Sequence, residues 1–292
     1  LGAFNNSDAK NSSINQVLDP VQKQFLSDLG DSIQRALCPT ATLDTFAAGK
    51  ILYEKIYIGP DSFYQYSTDP ALAKYNLSFA EVGQGQGSYV PDFNGANGKV
   101  FRYIAPVAGI KQGNYEPVQI LVTPKKQQLL NLGMDYIIGK NTLLKAEMAT
   151  SSYDINTFSA KDDGDDRGWA GKFQIANTKM IRSSKQLQLT TGFDYEYVQK
   201  KFKPLERLRN VEFTRDWGLP IASIPIPVDE NIIKASTGLK NKNNHSLTYQ
   251  FINYRRSDNY TGVQNSVLHS ANWKDWQFNN QFIITNFTTL ND

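Results

Sequence analysis

Cysteine and histidine are nearly absent from this chain of 292 residues, which has one cysteine, Cys38, and two histidines, His245 and His269. A single thiol excludes a disulfide framework, and one Cys with two distant His cannot build a Cys/His zinc cage. Long apolar runs are also missing. Mean hydropathy is -0.46, and no stretch has the twenty or so apolar residues of a membrane-crossing helix. That absence leaves a membrane β-barrel open, because its lipid-facing residues alternate with polar ones. Charge is modest: 31 basic and 28 acidic residues give a net +3. Residues 1–120 carry 9 basic and 11 acidic residues, and 121–292 carry 22 and 17. This balance is too mild for a nucleic-acid footprint, so no nucleic-acid partner is expected. The pairs Lys125-Lys126, Lys200-Lys201 and Arg255-Arg256 read as solvated charge near strand ends.

Aromatics make up 12% of the chain and charged residues 20%, the composition of a folded protein with a substantial core. Residues 1–16 are rich in Asn and Ser and read as a loop or linker. Asp19-Pro20 then supplies an N-cap and a first-turn proline. Phe25, Leu29, Ile33 and Leu37 form one stripe at helical spacing, so a helix is expected over 20–37. Cys38 reads as a small buried side chain.

Strands are expected at 51–58 (ILYEKIYI), 75–82 (YNLSFAEV) and 100–104 (VFRYI), with a helical turn near 71–74. The glycines at 83, 85 and 87 could suggest a phosphate loop, but no Gly-Lys-Ser/Thr follows. Nor can Ser88-Tyr89-Val90-Pro91 open the helix that a dinucleotide fold needs. A glycine bend with φ > 0 is the expectation. The region 1–117 thus reads as a small β-rich module with one helix.

From 118 to 292 the pattern changes to long segments of period two, the signature of strands with one dry and one wet face. Leu130, Leu132, Met134, Tyr136 and Ile138 oppose Asn131, Gly133 and Asp135. Leu187, Leu189, Thr191, Phe193, Tyr195 and Tyr197 oppose Gln188, Thr190, Gly192, Asp194 and Glu196. Similar alternation surrounds Leu144, Trp169, Val211 and Phe213, Ile233, Leu247, Val263 and Trp276. The prolines in 220–227 mark a loop or an extended edge. About nine long antiparallel strands are expected, as an open sheet or part of an outer-membrane-type barrel. Aromatics near strand ends (Tyr136, Tyr153, Trp169, Tyr195, Tyr197, Trp217) suit an interfacial girdle. A soluble sheet covered on one side would alternate in the same way.

The passages 66–75 (YSTDPALAKY), 82–90 (VGQGQGSYV), 113–118 (GNYEPV) and 152–159 (SYDINTFS) resemble those of large outer-membrane-associated proteins of Bacteroidetes-type bacteria. The resemblance covers roughly residues 60–200. It implies a Gram-negative envelope location, a lipid bilayer as partner, and a scaffold, transport or secretion role. It carries no catalytic residues. Both chain ends read as cuts, so further strands of the same chain or of partner envelope proteins are expected.

Candidate chemistry is sparse. Asp162, Asp163, Asp165 and Asp166 form the densest acidic cluster and are the candidate calcium ligands. Their spacing is not that of an EF-hand, and a solvated turn is the alternative. Glu147, Asp154, Asp194 and Glu196 could face one another as paired carboxylates, although no spacing demands it. His245 and His269 lack a nucleophile motif. No cofactor is expected, and a non-enzymatic role follows. A soluble cell-surface module binding glycan or protein is the other reading.

Overall fold

The computed structural model describes residues 2–7, 16–93, 98–161, 163–219, 226–243 and 245–288. The protein is mainly β, and its contacts divide it into two units. One comprises Leu1–Asp8, Lys125–Ile155 and Asp162–Asp292; the other comprises Ala9–Pro124 and Asn156–Lys161. Among the described residues no helix is long and apolar enough to cross a membrane.

The larger unit is one antiparallel sheet. Its strands are β1 (Gly2–Ser7), β2 (Lys126–Ile138), β3 (Thr142–Asp154), β4 (Arg167–Arg182), β5 (Leu187–Val198), β6 (Glu230–Lys240), β7 (Ser246–Arg256), β8 (Thr261–Trp273) and β9 (Trp276–Thr288). From β2 to β9 each strand pairs with the next, so eight strands form an uninterrupted meander. The ninth, β1, pairs with the outer edge of β2, from Gly2↔Asn131 to Ser7↔Lys126. The sheet does not close: among the described residues β9 pairs with β8 alone. Residues 2–7 are thus a strand and not part of the loop expected over 1–16. Edge pairing uses backbone N–H and C=O groups, which an Asn/Ser-rich composition does not betray.

Most strands run eleven residues or more, as the alternation foretold. Tight turns join them at one end, with Gly139 in the left-handed region at φ 62°. Two of the three connections at the opposite end, 155–166 and 199–229, are long. The alternation at Val211 and Phe213 is not a strand. Phe213–Asp216 is one helical turn within the long 199–229 connection. Too few consecutive alternating residues flank it to sustain a ladder.

The smaller unit begins with α1 (Pro20–Leu29). Asp19 accepts from Gln22 N at 2.8 Å, and the Gln22 side chain accepts from Asp19 N at 3.1 Å, a reciprocal cap. The helix stops at Leu29 instead of reaching 37. Gly30 takes φ 61°, and the chain passes through a single 3₁₀ turn (Ile33–Arg35) into the strand Leu37–Pro39. Asn156 donates to the carbonyls of Leu26 at 2.8 Å and Gly30 at 2.7 Å, satisfying acceptors at the helix end. Leu26, Ala36 and Leu121 form the local core, with Cys38 half-buried against it.

The rest of the smaller unit is two small sheets around an aromatic cluster. Leu52–Ile58 and Asp61–Ser67 make a hairpin; Tyr89–Asp92 and Val100–Tyr103 make another. Residues 75–82 hold only the two-residue strands Tyr75–Asn76 and Ala80–Glu81, in separate sheets. Phe79 sits between them, stacked on Phe101 at 4.4 Å and edge-on to Tyr89 at 5.0 Å. Burying that one ring outweighs keeping a continuous strand. Gly83 (φ 117°) and Gly85 (φ 68°) make the expected glycine bend.

Candidate functional site

Register fixes which side chains share a face of the large sheet. On one face, Met134 pairs across to Ala146, then Phe173, Tyr195 and Ile233. The next row runs Tyr136, Leu144, Ile175, Phe193, Ala235 and Phe251. These rows are apolar yet open to solvent: Met134 is 55% exposed, Tyr136 60% and Phe193 41%. The Tyr136 row is apolar across the six strands β2 to β7, while Asn253, Asn265 and His269 interrupt the same face on β7 and β8; exposed apolar rows of this breadth mark an interaction surface.

The opposite face is polar. One row reads Gly133, Glu147, Lys172 and Glu196; another reads Asp135, Lys145, Gln174, Asp194 and Lys234. Acids and bases alternate between neighbouring strands, which favours cross-strand attraction. Lys145 and Asp135 form an ion pair at 3.1 Å, and the Gln174 amide donates to Asp194.

Aromatic side chains mark both ends of the apolar face. Trp169 and Tyr197 pair at 4.6 Å near one end. Trp273 and Trp276, each 68% exposed, flank the turn at the other. Trp217, expected in the same girdle, is instead 4% exposed on the polar side. It packs with Tyr254 and Tyr260.

The polar face also carries a stretch of the 199–229 connection. Arg209 pairs with Glu196 of β5 and, at 2.7 Å, with Glu230 of β6. Its guanidinium lies 5.0 Å from the Phe213 ring centre. Tyr260 donates to the Trp217 carbonyl, and burial pushes the Tyr260 hydroxyl up to about 12. Nothing local marks this constellation: Glu206 and Glu212 flank Arg209 at three residues, but the acids it meets are Glu196 and Glu230 on β5 and β6.

Of the expected calcium ligands, Asp165 and Asp166 come together among the described residues. Asp162 lies outside the described residues. Asp163 and Asp165 are exposed, and Asp165 and Asp166 carry carboxylate oxygens within 4.8 Å of each other. The Asp166 carbonyl accepts from Tyr153 N at 3.1 Å, extending the ladder of β3 and β4 past Ser152 and Arg167. Glu147, Asp194 and Glu196 share the polar face, whereas alternation puts Asp154 on the other. His269 meets the Asn280 amide at 3.3 Å.

In the smaller unit, a groove of about 570 Å³ is lined by Phe63, Tyr66, Phe101 and Tyr103 together with Gln65, Asp92 and Arg102. Phe63 and Tyr103 stack at 4.3 Å. Comparison with known proteins finds no matching family model, no matching curated protein and no matching solved structure.

Proposed function

We propose that the large sheet is the wall of an outer-membrane β-barrel in the envelope of a Gram-negative bacterium, with a structural, transport or secretion role and no catalytic one. Its apolar face lies against lipid and its charged face lines a watery lumen. The observation that carries this reading is the pairing of those two faces on strands of 11 to 16 residues. At roughly 3.3 Å per residue and a tilt near 40°, such strands cross a hydrocarbon core of about 30 Å. Tryptophan and tyrosine at both ends of the apolar face match the two membrane interfaces. Partner strands, from the same chain or another envelope protein, complete the wall at the open β9 edge.

Mixing the protein with preformed liposomes and floating the lipid on a density gradient tests this reading. The protein should rise with the lipid and resist extraction by high salt and alkaline carbonate. Recovery of monodisperse protein from the bottom fraction without detergent would overturn it.

A second reading rests on the groove of the smaller unit. Its aromatic faces, beside an amide, a carboxylate and a guanidinium, suit the apolar faces and hydroxyls of a sugar ring. The smaller unit would then be a glycan-binding module. Calorimetric titration with neutral oligosaccharides tests it, and absence of heat that Tyr103→Ala could abolish counts against it.

A further inference from the structure

β5 and β6 are direct neighbours, with Val198 opposite Glu230. About two to five residues suffice to join such strands. The connection actually runs from 199 to 229, and its first part does not loop away into solvent. It lies across the polar face near the strand ends and meets every strand from β2 to β9. The Lys203 carbonyl accepts from Gln127 of β2 at 3.2 Å, and Lys203 N donates to Ser151 of β3 at 2.8 Å. On β4, Gly168 is bare: a Cβ there would overlap the backbone of Lys201 and Phe202. Arg209 holds β5 and β6 through Glu196 and Glu230. Trp217 packs on Tyr254 of β7 at 5.3 Å. On β8 a Cβ at Gly262 would come within 2.8 Å of the Trp217 ring. Finally, Gly218 abuts the Phe287 ring of β9.

Two features separate this arrangement from an ordinary surface loop. It buries Phe202 and Trp217 on the face that is otherwise charged. It also relies on glycines in β4 and β8 where the chain comes closest. We propose that residues 199–219 are a strap that closes one mouth of the lumen, latched by Arg209 and anchored by Trp217. The inference rests on the barrel reading, which makes the polar face a lumen. Solutes pass that mouth only when the latch opens.

The test is thiol accessibility in the full chain, with Cys38→Ser removing the native thiol. One reporter, Ile232→Cys, sits beneath the strap, packed against the Trp217 cluster. A second, Gln277→Cys, lies near the opposite end of the polar face. The rate of modification by a membrane-impermeant maleimide is measured on liposome-floated protein. Arg209→Ala and, separately, Trp217→Ala should each raise labelling at the first reporter by tenfold or more and leave the second unchanged. Equal rates at Ile232→Cys with and without either substitution overturn the strap. Circular dichroism of both variants in the same liposomes confirms a retained sheet. A fast first reporter in the parent protein overturns the strap as well. Flotation separates the two claims: protein that fails to float refutes the barrel, while labelling of the same protein in buffer still reports on the strap.

Discussion

Arg209 and Glu230 form an ion pair at 2.7 Å, each about four-fifths buried, with Glu196 on the guanidinium's other side. One cation thereby ties two neighbouring strands to the connection between them. Removing it leaves two carboxylates on adjacent strands, short of both water and a counter-charge. Arg209→Ala should therefore destabilise the large sheet by about 2–4 kcal/mol. Denaturant unfolding in detergent checks this, and a loss below about 0.5 kcal/mol, typical of an exposed pair, would contradict it.

The Trp217 contact depends on the missing side chain at residue 262. Gly262→Val places a Cβ within 2.8 Å of the indole, so the ring must move. Over-packing of this kind costs about 1–3 kcal/mol. Trp emission should shift to longer wavelength as the indole meets water. Gly133→Ala is the control, since its Cβ finds only the Glu147 side chain at 3.7 Å.

In the smaller unit, the Tyr89 hydroxyl accepts from Tyr64 N at 2.8 Å, and burial pushes its pKa up to about 12. The folded state therefore keeps a proton that the unfolded chain loses near pH 10. Stability from this group is complete below pH 10 and is lost progressively as pH rises from 10 to 12. Tyr89→Phe should flatten that alkaline decline while lowering stability at neutral pH by about 1 kcal/mol, the worth of the hydrogen bond. Thermal melts between pH 8 and 12 read both effects. An unchanged alkaline slope in the variant would assign the decline to other groups.

Long strands were legible because period two is imposed directly by the pleat. Leu130 to Ile138, and Leu187 to Tyr197, fall on one face in the structure as in the sequence. Elements set by distant partners were not legible. Gly2–Ser7 is a strand because β2 offers an unpaired edge, not because its side chains prefer one. The α1 stripe continues to Leu37 in sequence, yet the backbone turns at Gly30, where Asn156 receives the helix end. The strap is not legible in the sequence for the same reason. Its anchors, Ser151, Gly168, Glu196 and Gly262, are ordinary strand residues until the chain lies on them.

On the proposed barrel, the apolar surface should reject charge that the other surface tolerates. Phe193→Arg puts a guanidinium midway along β5 on the apolar side and should cost about 2–4 kcal/mol of folding in lipid. Thr190→Arg, on the polar side of the same strand, should cost under about 1 kcal/mol. Comparable effects from the two would contradict the assignment of faces.

The central claim concerns two faces in two solvents, and a nitroxide scan along Leu187–Val198 reads it residue by residue. In liposomes, labels at 189, 191, 193, 195 and 197 should relax with dissolved oxygen, which concentrates in lipid. Labels at 188, 190, 192 and 194 should relax with a water-soluble nickel chelate. The account predicts that the two signals alternate with a period of two and opposite phase. Uniform access of the nickel chelate to both sets would contradict it.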